Sequence, residues 1–128
     1  MAVRTVAVIG ASQDRRKFGN KSVRAHLQQG FEVYPVHPTA EKIEGLTAYK
    51  NLQAVPVEQL DRVTVYVPPH IGMQLLEDIR AGNPREVWFN PGSESEELIR
   101  RAVEMGLNPI QACSIVDVGI SPGELPEE

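Results

Sequence analysis

A chain of 128 residues suffices for one domain with a real core and is too short for two. Its composition, 41% hydrophobic and 23% charged, is that of an ordinary soluble globular protein. A net charge of −4 spreads no basic field over the surface, which argues against nucleic acid as a partner, and one cysteine excludes an internal disulfide framework and suits a reducing cytosol.

Residues Met1 to Thr5 lead directly into an apolar run, so no signal peptide is expected, and no apolar run approaches a membrane span. A cytoplasmic protein is the expectation. Val6, Ala7, Val8 and Ile9 read as a parallel strand buried on both faces. Gly10 then permits a tight turn and a close backbone approach, the geometry that seats phosphate on free N–H groups at a helix N-terminus. Arg15, Arg16, Lys17, Lys21 and Arg24 follow, five of the thirteen basic residues. Cations at the positive end of a helix are unfavourable unless an anion joins them. A polyphosphate ligand would resolve that conflict.

Asn20 to Gln29 reads as a helix with Val23 and Leu27 on one face, stopped by Gly30. Phe31 to Val36 is a second strand, ended by His37 and Pro38. Residues 39–60 show no clean period. Gly45, Asn51 and Pro56 suggest turns, with a short strand near Leu46 to Tyr49 and a helical turn before Leu60. Val63 to Val67 is a third core strand, stopped by Pro68 and Pro69. Ile71, Leu75, Leu76 and Ile79 give a helix ending at Gly82, and Glu86 to Phe89 is a fourth strand. Asn90, Pro91 and Gly92 turn the chain, and Ser93 with Glu96 has the spacing of a capping box. Leu98, Ile99, Ala102 and Val103 form the apolar face of the next helix, closed by Gly106, and Pro109 to Ala112 is a fifth strand. Residues 1–120 are expected to form the single domain, and 121–128 an acidic, flexible tail.

Strands separated by helices argue for a parallel sheet covered on both faces, with ligands outside the carboxyl ends of its strands where strand order reverses. Those ends carry Gly10 to Ser12, His37–Pro38, Pro68 to His70, Asn90 to Gly92 and Cys113. The dinucleotide fingerprint is incomplete. After Gly10 no glycine recurs before Gly19, and the second strand ends in Val36–His37 without the acid that would hold a ribose. A P-loop is also absent, since no Gly-Lys-Ser/Thr follows the turn.

Five segments in order, Val6 to Ser12, Gly30 to Pro38, Gly45 with Tyr49, Leu60 to Pro69 and Val87 to Gly92, make residues 4 to about 116 resemble the CoA-binding Rossmann family. These are the small stand-alone relatives of the N-terminal CoA-binding domain of succinyl-CoA synthetase. Cys113 falls where that family often has a cysteine. The resemblance implies an α/β, Rossmann-like three-layer domain with a five-stranded, mainly parallel sheet. It also implies that Gly10, Ala11 and Ser12 hold the pyrophosphate of CoA or an acyl-CoA, with Arg15, Arg16 or Lys17 meeting phosphates. Val36, His37 and Pro38 would flank the nucleotide, Val67, Pro68 and Pro69 would line the other side, and Asn90 would stand toward the pantetheine end. The family usually has Asn in place of His37 and commonly Gln in place of Asn90.

Each residue also has a plainer reading. Ser12 could simply close a turn, Arg15 to Lys17 could be a solvated surface, and His37 could be structural. Cys113 reads first as a small buried hydrophobe. Ser12 lacks the glycine spacing of a nucleophile elbow, and three scattered histidines with one cysteine show no zinc spacing. The expectation is a module that binds CoA or acyl-CoA without catalysis, with a protein partner possible and no metal. The larger synthetases add domains carrying a phosphorylated histidine and a nucleotide-triphosphate grasp, and these are not expected in this chain. The alternative is an NAD(P)-linked or acyl-CoA-transforming enzyme using His70 or Cys113.

Overall fold

Apolar runs become buried parallel strands, and amphipathic runs become the helices that cover them. The computed structural model describes residues 3–128; Met1 and Ala2, part of the stretch searched for a signal peptide, lie outside the described residues. In chain order the elements are β1 (Thr5–Ile9), α1 (Phe18–Gln28), β2 (Glu32–Val36), β3 (Lys42–Ile43), β4 (Leu46–Thr47), β5 (Arg62–Val65), α2 (Pro69–Ala81), β6 (Glu86–Phe89), α3 (Glu96–Glu104), β7 (Pro109–Gln111) and α4 (Ser114–Asp117). The main sheet has the order β2-β1-β5-β6-β7, and every pairing in it is parallel. The expected α/β, Rossmann-like five-stranded architecture is the one observed.

β1 is buried on both faces, as its unbroken apolar run requires. Ala7 and Ile9 join Val63, Val65, Leu76, Ile79 and Leu98 in one core layer. Val6 and Val8 join Val23, Phe31, Val33 and Ile43 in the other. The face of β5 toward α1 and α4 is polar instead. Arg62 is 2% exposed, sandwiched between the Trp88 and Phe31 rings and bonded to Asp117 Oδ2 at 2.8 Å. His26 lies in the same layer, bonding through Nδ1 to the Ser22 carbonyl at 2.8 Å, and its burial presses its pKa down to about 4. That places it in the core, as a packing histidine.

Several local expectations need correction. α1 starts at Phe18 rather than Asn20, with Lys17 as N-cap and no side-chain cap. The cap of α3 is Ser95, whose Oγ accepts from Leu98 N at 3.1 Å, so Ser93 and Glu96 form no capping box. Ser93 instead donates its hydroxyl to the Asn90 carbonyl. Val103 is 58% exposed and leaves the apolar face of α3. Between β2 and β5, where no period was legible, a hairpin turns through Glu44 and Gly45, both at positive φ, and a 3-10 turn covers Leu52–Ala54.

The acidic tail packs back onto the domain. Pro122–Glu124 form a 3-10 turn, and Leu125 is buried against Ala25 and Ile115. Pro126, Glu127 and Glu128 then lie along α1, bonded to its cations.

Candidate functional site

The chain runs from β1 to β2 on one side, then crosses back to β5 on the other. The carboxyl ends of β1 and β5 are therefore the point where strand order reverses, and a cleft opens there. Tyr66 N donates to the Ile9 carbonyl at 2.9 Å, continuing the ladder to the floor of that cleft. Its volume is about 780 Å³, within the range of small-molecule sites.

Two glycines build its wall. Gly10 has φ +87°, a left-handed conformation, and a Cβ there would meet Tyr66 and Val67 at 3.1–3.2 Å. Gly19, in the first turn of α1, lies directly on the turn. A Cβ there would press into the Gly10 carbonyl oxygen, 2.9 Å from the Gly10 carbonyl carbon and 3.2 Å from Ala11 Cα. Gly19 thus does for helix-to-strand packing what the third glycine of the dinucleotide fingerprint does, at a wider spacing. Asn20 fastens the same junction by donating to the Ser12 carbonyl at 2.9 Å.

Ten of the thirteen residues expected at the site line this cleft: Gly10, Ala11, Ser12, Arg16, Lys17, His37, Pro38, Val67, Pro68 and Asn90. Val36 lines an apolar annex of about 280 Å³ that shares Gly10, Pro38 and Val67 with the cleft. Arg15 and Pro69 line neither. Arg15 reaches Glu44 at 3.3 Å and the Glu128 carbonyl at 2.6 Å, while Pro69 opens α2. Phe18, Gly19, Tyr66, Pro91, Gly92, Ser93 and Cys113 complete the lining. Phe18, 54% exposed at a helix start, carried no periodic signal, and Gly19 lay just before the helix expected from Asn20.

The polar groups divide by what they touch. Ser12 Oγ accepts from Asp14 N at 3.0 Å, the plain turn geometry, and its hydroxyl hydrogen is left to donate elsewhere. Asp14 receives Arg16 through Nε at 3.0 Å and Nη2 at 2.9 Å, and this pairing holds the Asp14 pKa down to about 2. Lys17 makes no ion pair or side-chain hydrogen bond among the described residues. The first turn of α1 contains no acid, and Lys17, Phe18 and Gly19 at its start line the cleft.

His37 Nδ1 accepts from Thr39 N at 3.1 Å and Ala40 N at 2.9 Å, so the neutral ring carries its proton on Nε2. Asn90 is spent inward. Its amide donates to Thr64 Oγ1 at 2.7 Å and the Val65 carbonyl at 2.9 Å, and its oxygen accepts from Ser114 N at 2.9 Å. Asn90 therefore staples β5, β6 and α4 beneath the cleft. Tyr66 OH meets Ser114 Oγ at 3.0 Å in the same network, and burial raises the phenol pKa. Cys113 stands half-buried in the lining as a free thiol. His70 is exposed and outside it. Among the described residues no three His, Cys, Asp or Glu side chains stand close enough to share a metal ion, and no helix is long and apolar enough to cross a membrane.

Residues 4–119 match the CoA binding domain family. The alpha subunit of acetate–CoA ligase [ADP-forming] II of Pyrococcus furiosus is 38% identical over 74 residues, 57% of this chain and 16% of that protein. The corresponding Archaeoglobus fulgidus ligase is 35% identical over 77 residues, 59% of this chain and 11% of its own length. The chain thus spans less than a fifth of the curated relatives it matches. Among solved structures, a conserved hypothetical protein of Pyrococcus furiosus superposes with a TM-score of 0.80 at 34% identity, covering 89% of this chain and 98% of that one. The dinucleotide-forming acetyl-coenzyme A synthetase 1 of Ca. Korarchaeum cryptofilum, in complex with phosphate and ADP, superposes at 0.73 and 30% identity, covering 84% of this chain and 25% of that one.

Proposed function

The chain belongs to the CoA binding domain family, and from that membership and the cleft we propose that it holds coenzyme A or an acyl-CoA non-covalently and catalyses nothing by itself. The observation that carries this reading is the meeting of Gly10 and Gly19 at the strand-order switch. A Cβ at Gly19 would press into the Gly10 carbonyl and one at Gly10 would crowd Tyr66 and Val67, so a side chain at either position would push apart the turn and the helix start that would seat a phosphate.

CoA fits the residues present. Its pyrophosphate would lie on Gly10 to Ser12 and the start of α1, with Lys17 as the cation best placed to meet it. The apolar annex beside Val36, Pro38 and Val67 suits the adenosine, with His37 Nε2–H as a donor nearby. The pantetheine arm would run toward Gly92, Ser93 and Cys113. CoA would supply the thiol; the chain's own groups bind and orient it. NAD is less well served, because β2 ends in Val36 and His37 with no acid for a ribose. His37 Nδ1 is occupied by two backbone N–H groups, and His70 stands outside the cleft lining.

A carrier, sensor or partner-recruiting role follows. Because the curated relatives are ligases, a protein partner fits the same reading. The test is incubation of the protein with CoA, a panel of carboxylic acids, ATP or GTP, and magnesium. CoA is expected to remain bound and unacylated. Thioester formation that disappears in Cys113→Ser or His70→Ala would establish an enzyme instead.

A further inference from the structure

Four of the five cations gathered near the start of α1 are already engaged by the protein's own acceptors, and three of those four are held by the last three residues. Lys21, 6% exposed, bonds Glu127 Oε2 through Nζ at 2.7 Å. Arg24, also 6% exposed, donates to the Pro126 carbonyl at 2.7 Å and to the Arg15 carbonyl at 2.9 Å. Arg15 donates to the Glu128 carbonyl at 2.6 Å. Lys21 also lies 5.5 Å from the centre of the Phe18 ring, and Phe18 lines the cleft. The Glu127 carboxylate, kept ionised by Lys21 and by the field of Arg16, therefore stands at the rim of the surface that a polyphosphate would use.

The anchoring is graded. Leu125 is buried against Ala25 and Ile115, while the Glu127 side chain, 54% exposed, is held by its bond to the nearly buried Lys21. A phosphate offers that ammonium the same charge-assisted hydrogen bond.

The geometry points to Pro126–Glu128 as an internal strap that occupies the α1 cations and competes with the phosphates of a bound ligand, with Leu125 as its fixed end. The inference rests on the CoA reading. When phosphate arrives beside Phe18, Lys21 trades Glu127 for the ligand, and the tail beyond Leu125 swings free. One carboxylate is removed from the neighbourhood of several phosphate charges as it does so.

The test is calorimetric titration of CoA into the parent chain and into Glu127→Gln, an exposed substitution that leaves the core untouched. Amide hydrogen exchange of residues 125–128 is followed in both, with and without CoA. Glu127→Gln is expected to bind CoA about three- to tenfold more tightly, the effect of deleting one like charge beside a polyanion at the surface. CoA is also expected to speed exchange in the parent's tail. Equal affinities, or weaker binding by Glu127→Gln with the tail still protected, would overturn the strap while leaving CoA as the ligand. Failure of both chains to bind CoA would overturn the strap and the CoA reading together.

Discussion

Replacing Gly19 by alanine sets two effects of opposite sign against each other. In a helix interior, alanine is favoured over glycine by about 1 kcal/mol. At Gly19 the added methyl would press into the Gly10 carbonyl, with the Gly10 carbonyl carbon at 2.9 Å and Ala11 Cα at 3.2 Å. Both neighbours are backbone and cannot rotate away. Overpacking of this kind costs about 1–3 kcal/mol, and an unyielding neighbour places it at the upper end. The net is a destabilisation of about 2 kcal/mol, a fall in Tm of roughly 6–10 °C for a domain of this size. Because α1 must move off the turn, CoA affinity falls as well. Gly72→Ala in α2 is the control, since its Cβ would meet Leu98 Cδ2 at an ordinary 3.4 Å and the helix-propensity gain should survive. Urea titration and CoA calorimetry on both variants decide the matter. A Gly19→Ala protein as stable as Gly72→Ala, with parental CoA affinity, would refute the proposed close approach of α1 to the turn.

Asn90→Ala strips three elements of a shared partner, leaving Ser114 N and the Val65 carbonyl buried without it. A loss of about 2–4 kcal/mol in urea titration is expected, and a loss under 1 kcal/mol would show that the network reorganises. Replacing Arg15, Arg16 and Lys17 together by alanine should weaken CoA binding by several kcal/mol at most, since hydrogen bonds to charged groups are worth ~1.5–3 kcal/mol each. It should also flatten the salt dependence of binding; parental affinity would return these residues to a solvated surface. His26 is buried neutral, with its pKa lowered from 6.5 to about 4. The unfolded chain therefore takes up a proton that the folded one refuses, and stability falls as pH drops from about 6.5 toward 4. The loss from this group approaches about 3 kcal/mol. Urea titrations across that window check it, and a pH-independent midpoint would contradict the burial of a neutral ring.

What the sequence disclosed was the sheet and the turn. Val6 to Ile9, Val63 to Val65 and Val87 to Phe89 can only be satisfied by burial on both faces, and Gly10 at the end of the first run marks the switch point. Of the hairpin at Glu44 and Gly45, the turn and the strand after it were legible in Gly45 and Leu46 to Tyr49, while its first strand, two residues long, carries no period. The fate of the cations was hidden too. A cluster of basic residues beside a helix start is equally satisfied by a ligand or by a distant stretch of the same chain. Only the fold brings Glu127 beside Lys21, 106 positions away. Asn90 illustrates the same limit: the sequence places a polar residue at a strand end, and only the fold shows its side chain bonding to Thr64, Val65 and Ser114 while lining the cleft.

Whether the Gly10–Gly19 cleft selects CoA is decided by titrating CoA and NAD separately into the protein in a calorimeter. One CoA bound per chain and weaker NAD binding are expected, because β2 ends in Val36 and His37 and offers NAD no acid for its ribose. Tighter binding of NAD than of CoA, or no binding of CoA at all, would contradict that selection.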